Sequence, residues 1–189
     1  MDQRTFVERA QQGDREAFAV LARAAAARLD AAARLITRDR EIARDAVQEA
    51  LIRAWRDLPG LRDPDRFNAW LHRLTVNAAI DEHRRRRRRV IEVAVDPINH
   101  PAPQDAFAVL ADRDALDQAL GQLAPEHRAL VVLHYYLGMP LPEAAASLGI
   151  TLSAAKSRLH RSMLSLRAAF GLGDRHPTEP PEPARGGPA

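Results

Sequence analysis

The chain of 189 residues lacks cysteine altogether and has a single lysine, Lys156, among its 28 cationic side chains. The absence of cysteine excludes disulfides and thiolate metal sites, and it suits a protein of the reducing cytosol. The charged N-terminal segment has no apolar core of a signal peptide. No apolar run approaches the roughly 18 residues that a membrane span needs. We therefore expect a soluble, cytoplasmic protein without a membrane span.

Arginine supplies nearly all of the positive charge, and its placement is uneven. The formal net charge is only +3, although the pI is about 10.1. Residues 66–89 carry eight arginines and two carboxylates, a net charge of +6, whereas residues 90–126 carry seven carboxylates and one arginine, a net charge of −6. The unbroken arginine run 84–89 is typical of solvated surface. Its density suits a phosphate-binding surface at least as well.

Apolar residues recur at helical spacing through most of the chain, and no stretch alternates like a strand for long. The pattern predicts an all-α fold of two small helical domains joined by a proline-containing linker. The predicted helices cover residues 5–37 with a break at Gly13–Asp14, then 39–58, 66–88 and 105–122, and another helix that Pro125 opens. The predicted boundaries are 1–89 for the first domain, 90–104 for an acidic linker, 105–170 for the second domain and 171–189 for a disordered tail.

Residues 139–166 have the pattern of a helix-turn-helix. Pro142 suits the first turn of a helix, Gly149 suits a helix end with positive φ, and Thr151 suits the cap of the next helix. The predicted buried face of the second helix consists of Leu152, Ala155, Leu159, Ser162 and Leu166. The opposite face carries Ser153, Lys156, Ser157, His160 and Arg161. Such a cationic, donor-rich face suits a DNA major groove, and a solvated helix of a bundle is the alternative.

Two further helices carry polar residues of interest. In the helix 39–58, Asp45, Gln48 and Glu49 lie off the predicted buried stripe, which usually means solvated surface. In the helix 66–88, the amide of Asn77 can pair with a base edge. Trp70 of the same helix is expected to pack in the core rather than to stack on a base.

Three segments resemble motifs of the extracytoplasmic-function (ECF) group of bacterial RNA polymerase sigma factors. The first is DAVQEALIRAW at 45–55, and the second is FNAWLHRLTVNAAIDEHRR at 67–85. The third combines LAPEHR at 123–128, YYLG at 135–138 and AKSRLHR at 155–161. Together they span roughly residues 5–170 in the order that the family has. The chain departs from the family at Ala145 and Ala155, where larger apolar residues are usual, so a smaller core is expected between those two helices.

The resemblance implies a sigma factor that binds the β and β′ subunits of core RNA polymerase, recognises the −35 and −10 promoter elements, promotes promoter melting and directs transcription initiation. It implies no enzymatic activity, no cofactor and no metal. The residues that it assigns to polymerase binding are Asp45, Gln48, Glu49 and Arg53. Those for −10 DNA are Asn77, Asp81, Arg84 and Arg85, and those for −35 DNA are Ser153, Lys156, Ser157, His160 and Arg161. Promoter DNA and core polymerase are the expected partners, and the sequence leaves open an anti-sigma factor as a third.

The resemblance also gives the acidic linker a role, because in the family it threads the cationic channel of the polymerase. Its charge is opposite to that of residues 66–89. The two domains are therefore expected to be held together in the free protein, by this opposite charge or by a partner, and to separate on polymerase.

Other classes of protein explain the sequence less well. A stand-alone helix-turn-helix transcription regulator would need neither the 45–55 segment nor an acidic linker. An enzyme is disfavoured because Asp81, Glu82 and His83 are successive on a helix and point in different directions. A purely structural helical adaptor would not need the cationic face around Lys156.

Overall fold

The computed structural model describes residues 2–92 and 109–170, with side chains described for 2–88 and 115–170. All regular structure within these ranges is helical, which confirms the predicted all-α class. The first domain consists of α1 (Gln3–Gln11), α2 (Arg15–Thr37), α3 (Arg40–Asp57) and α4 (Phe67–Glu92). The second consists of α5 (Val109–Gly121), α6 (Pro125–Val131), α7 (Leu141–Ser147) and α8 (Leu152–Ala169).

Aspartates begin the first three helices. Asp2, Asp14 and Asp39 stand directly before α1, α2 and α3, and each carboxylate accepts a hydrogen bond from a backbone N–H of the first turn. Such a cap satisfies a donor that the helix itself leaves without a partner. Gly13 has a φ of 91°, which allows the sharp turn between α1 and α2. The predicted break at Gly13–Asp14 is confirmed.

The first domain packs its four helices around an apolar core. The largest fully buried side chains there include Leu29, Leu58, Phe67 and Leu71. Trp70 is half-buried against this core, with its ring centroid 6.1 Å from that of Phe67. The prediction that Trp70 packs in the core is confirmed.

The second domain contains the predicted helix-turn-helix. After α6 the chain makes one wider π turn, Val132–Tyr136, before α7. Gly149 has a φ of 65° between α7 and α8, and the hydroxyl of Thr151 accepts a hydrogen bond from the Ala154 N–H over 3.2 Å. The turn and its cap therefore form as the sequence predicts.

Two predicted details need correction. The helix α4 continues to Glu92, beyond the predicted end at residue 88, because no helix breaker occurs before Pro97. Leu152 is 40% exposed rather than buried, since it lies one turn before Ala155, where the buried face of α8 begins. The rest of the predicted linker, residues 93–104, and the predicted tail 171–189 lie outside the described residues.

The two domains pack against each other through an apolar contact. Ile36 of α2 and Val76 of α4 belong to the same buried cluster as Leu130 and Leu133 of the second domain. Ion pairs lie along this contact: Arg38–Asp117 at 2.8 Å, Arg66–Glu143 at 2.7 Å and Arg84–Glu126 at 2.9 Å. Of these three pairs, Arg84–Glu126 joins residues 66–89 to residues 90–126, the two segments with opposite net charge in the sequence.

Candidate polymerase and promoter interfaces

The residues predicted to bind polymerase form one polar patch on α3. Asp45 and Gln48 are exposed, and Glu49 and Arg53 are half-buried. Arg53 Nε donates a hydrogen bond to Glu49 Oε1 over 2.7 Å. Ile52, which is 54% exposed, adds an apolar side chain to the exposed side of α3. A surface that combines carboxylates, an amide and an aliphatic side chain suits a protein partner better than phosphate.

The residues predicted to contact −10 DNA share one side of α4. Asn77, Asp81, Arg84 and Arg85 follow each other at helical spacing, and the two arginines are exposed while Asn77 and Asp81 are half-buried. Asp81 Oδ2 lies 4.0 Å from Arg53 Nη1 of α3. The predicted −10 residues therefore adjoin the polymerase patch, a proximity that the sequence did not indicate.

The second domain engages the first arginine of the arginine run. Arg84 Nε and Nη2 both donate to Glu126 Oε1 of α6, over 3.1 and 2.9 Å. Burial works to raise the pKa of Glu126, but hydrogen bonds from its own backbone N–H and from Arg84 hold that pKa below its ordinary value. Glu126 is therefore ionised at neutral pH. The Nε–Nη2 edge of Arg84 must leave Glu126 before that edge can bind a phosphate.

The residues predicted to contact −35 DNA all lie on the exposed face of α8. Ser153, Lys156, Ser157, His160 and Arg161 are exposed. The opposite face is buried at Ala155, Leu159, Ser162 and Leu166. The Ser162 hydroxyl donates to the Arg158 carbonyl over 2.9 Å, which satisfies the polar group on the buried face. One side of α8 is thus free to enter a groove while the other holds the domain together.

A groove beside α8 was not predicted from the sequence. Its volume is about 290 Å³, and it is lined by Tyr135, Leu141, Lys156, Leu159, His160, Met163, Leu164 and Arg167. Tyr135 is 58% exposed and Leu164 is 42% exposed. The available signal was Leu164, an apolar residue off the buried stripe of α8. Lys156 and His160 belong both to this groove and to the predicted DNA-binding face.

Arg128 has a structural role that the sequence did not reveal. Its side chain is buried, and Nε donates to the Ile36 carbonyl of the first domain over 2.7 Å. Nη1 donates to the carbonyls of Leu120 and Leu123 over 3.2 and 2.9 Å. Burial, followed by the charge of Arg38, lowers the pKa of Arg128 to about 10, so the guanidinium stays charged at neutral pH. Arg128 therefore ties the end of α2 to the second domain.

Comparisons with known families define the class of protein. Sigma-70 region 2 matches residues 21–89, and Sigma-70 region 4 matches residues 113–166. The first match covers the helices with the α3 patch and the −10 residues, and the second covers the helix-turn-helix. The two domains are thus those of a sigma-70-type transcription factor. None of the helices in the described ranges has both the length and the apolar character to cross a membrane.

Curated relatives narrow this class to one group. SigL of Mycobacterium tuberculosis, an ECF RNA polymerase sigma factor, is 38% identical over 136 residues, which are 70% of this chain and 76% of SigL. SigM of the same species, also an ECF sigma factor, is 34% identical over 167 residues, which are 84% of this chain and 80% of SigM. The chain belongs to the ECF group of RNA polymerase sigma factors. It directs transcription initiation with core polymerase, and it belongs to a class of initiation factors rather than catalysts.

Two solved structures share the fold over both domains. CnrH, in complex with the cytosolic domain of CnrY, has a TM-score of 0.64 and 30% identity, and the match covers 91% of this chain and 99% of CnrH. RpoE of Bartonella quintana, in complex with the anti-sigma factor NepR, has a TM-score of 0.67 and 26% identity, and the match covers 77% of this chain and 91% of RpoE. The alternative of a stand-alone helix-turn-helix regulator is not favoured, because the first domain is also that of a sigma factor.

Proposed function

We propose that three surfaces of this sigma factor divide the work of initiation. The α3 patch binds the β and β′ subunits of core RNA polymerase through Asp45, Gln48, Glu49 and Arg53. One side of α4 contacts the −10 element of promoter DNA through Asn77, Asp81, Arg84 and Arg85. The exposed face of α8 contacts the −35 element through Ser153, Lys156, Ser157, His160 and Arg161. The place of action is the cytoplasm, where core polymerase is found.

The observation that carries the polymerase assignment is the exposed patch on α3. Asp45 and Gln48 point away from the buried alanines of the same helix, and Glu49 is held by Arg53. Its two carboxylates, Asp45 and Glu49, outnumber its one guanidinium, so the patch does not suit the phosphates of DNA. Its position next to Asp81 supports a single continuous surface in which polymerase binds beside the −10 residues.

An anti-sigma factor is the third partner that we propose. The two structural relatives were solved in complexes, and the partner of RpoE is described as an anti-sigma factor. The groove beside α8 supports the same partner, because it combines exposed Tyr135 and Leu164 with the cations Lys156 and Arg167 along its lining. An amphipathic helix with an acidic flank fits such a surface. It would cover Lys156 and His160 and so compete with −35 DNA.

The double substitution Gln48→Ala and Glu49→Ala tests the polymerase assignment. We expect affinity for core polymerase to fall by about tenfold or more, equivalent to about 1.4 kcal/mol, and run-off transcription from a cognate promoter to fall with it. Circular dichroism should be unchanged, because both side chains lie off the buried stripe of α3. Core affinity is measured by fluorescence anisotropy and transcription by run-off assay on the same preparation.

A charge-matched control is available at Gln12→Ala and Glu16→Ala, two exposed residues on either side of the start of α2. This pair should bind core polymerase as the unmodified chain does. Wild-type core affinity in the Gln48→Ala, Glu49→Ala variant would show that α3 is not the polymerase surface.

A further inference from the structure

His83 lies where the two domains meet. It is a half-buried residue of α4, next to Arg84, which bonds Glu126 of the second domain. Among the side chains described, His83 Nδ1 is the one buried nitrogen or oxygen without a hydrogen-bond partner. A buried polar atom without a partner is uncommon in folded proteins and calls for a physical explanation.

Charged groups of both signs surround the imidazole. The cations are Arg87 of α4 and Arg128 of α6, and the carboxylates are Asp39 at the start of α3 and Glu126 of α6. Both carboxylates have other partners, since Glu126 accepts from Arg84 while Asp39 accepts from two backbone N–H groups. An imidazolium at this position would therefore lie near two guanidinium groups, whose repulsion Glu126 and Asp39 offset only in part.

We propose that His83 is an acid-sensitive latch, in which a proton on its imidazole releases the second domain from the first. Neutral His83 fits the closed form, in which the two domains pack against each other as in this structure, whereas they are separate in the open form. Protonated His83 is repelled by Arg128, the residue that ties the second domain to the Ile36 carbonyl. The latch belongs to the free protein and does not depend on the polymerase or promoter assignments above.

The direction of the pH dependence follows from the two environments of His83. In the closed form, burial first, and then Arg128 and Arg87, lower the pKa of His83 against the opposing effect of Glu126 and Asp39. When the domains separate, the imidazole loses Arg128 and its other contacts with the second domain, and its pKa rises towards the ordinary value of about 6.5. The closed form thus binds the proton more weakly than the open form. Its full stability is present above about pH 6.5 and is lost progressively as the pH falls from there towards the lowered pKa of the closed form.

The distance between the domains reports the latch directly. Because the chain has no cysteine, the exposed residues Ala26 and Ala168 can be changed to cysteine and labelled with a fluorophore pair. We expect single-molecule energy transfer to show a larger opening equilibrium constant at pH 5.5 than at pH 7.5, by at most about tenfold. Circular dichroism at both pH values checks that the domains themselves stay folded.

Two substitutions at His83 and two controls make the test specific. His83→Gln, which stays neutral, should remove the pH dependence, and His83→Lys, which stays charged, should open the domains at pH 7.5. The control His72→Gln changes another histidine of α4, and burial together with the charge of Arg28 lowers the pKa of that histidine to about 4. The control His127→Gln changes a half-buried histidine of α6. Both should keep the pH response of the unmodified protein. A pH response that survives His83→Gln, or a His83→Lys protein that stays closed at pH 7.5, would overturn the proposal.

Discussion

At the scale of single residues, Lys156 and Arg161 can show which parts of DNA the exposed face of α8 contacts. Both are exposed, and Arg161 Nε donates to the Ser157 carbonyl of its own helix over 3.3 Å. Lys156 is a compact point charge near the start of α8, which suits a phosphate contact. Arg161 is long enough for a guanine edge or a phosphate, and these two contacts have different consequences.

We expect Lys156→Ala to weaken binding to all promoter sequences alike and to reduce the salt dependence by about one ion. Arg161→Ala should cost about 1–3 kcal/mol and relax the preference at one −35 position if Arg161 contacts a base. If Arg161 contacts a phosphate, Arg161→Ala should have the same effect on affinity and salt dependence as Lys156→Ala. The measurement is the affinity for −35 variants at several salt concentrations.

The exposed residue Arg15 of α2 provides a control for loss of one positive charge. Arg15→Ala should leave both the −35 preference and the salt dependence almost unchanged. Unchanged affinity and salt dependence in Lys156→Ala and Arg161→Ala together would mean that α8 does not enter the groove.

At the scale of helices and turns, Gly149 sets the geometry of the helix-turn-helix. Its φ of 65° lies in the left-handed region, and a Cβ there would meet no other atom within 4 Å. The cost of Gly149→Ala is therefore conformational and should lower the free energy of unfolding by about 1–2 kcal/mol. Urea denaturation followed by circular dichroism measures this loss.

Gly60 serves as the matched control for Gly149. It also has open space around the position of a Cβ, but its φ does not lie in the left-handed region. Gly60→Ala should change the free energy of unfolding by less than about 0.5 kcal/mol. Equal losses in the two variants would show that the turn does not depend on the left-handed conformation of Gly149.

At the scale of the whole molecule, the contact between the domains combines an apolar centre with ion pairs of partly exposed side chains. Ion pairs of this kind contribute little, typically about 0–1 kcal/mol each. The Arg84–Glu126 pair, for example, leaves its side chains 55% and 33% exposed. The buried cluster that includes Ile36, Val76 and Leu130 should therefore hold the closed form against salt.

We expect the labelled protein described above to stay closed at neutral pH when salt is raised from 0.1 to 0.5 M. Screening shortens the Debye length from about 10 Å at 0.1 M towards 3 Å at 1 M, which weakens the ion pairs but not the apolar contact. Addition of core polymerase should then lengthen the distance, because entry of the linker into the polymerase channel is expected to separate the two domains. Opening by salt alone would show that charge holds the domains together, and an unchanged distance on core polymerase would contradict separation.

Local patterns in the sequence were sufficient to predict the helices and the surfaces that they expose. The break at Gly13–Asp14, the cap at Thr151 and the exposed face of α8 depend on residues within one or two turns of each other. Helical periodicity and capping are local properties, so a single sequence reveals them. The end of α4 was less well predicted, because residues 89–92 contain no helix breaker that would mark it.

Only the tertiary structure decided how the two domains meet. Arg128 bonds a carbonyl 92 positions away, at Ile36, and Arg84 bonds a carboxylate 42 positions away, at Glu126. No local pattern in the sequence encodes which buried surfaces face each other across such distances. The sequence by itself therefore determined an ECF-type chain with three candidate surfaces. The packing of α6 against α2 and α4 decided that Arg84 is bound to the second domain in the closed form.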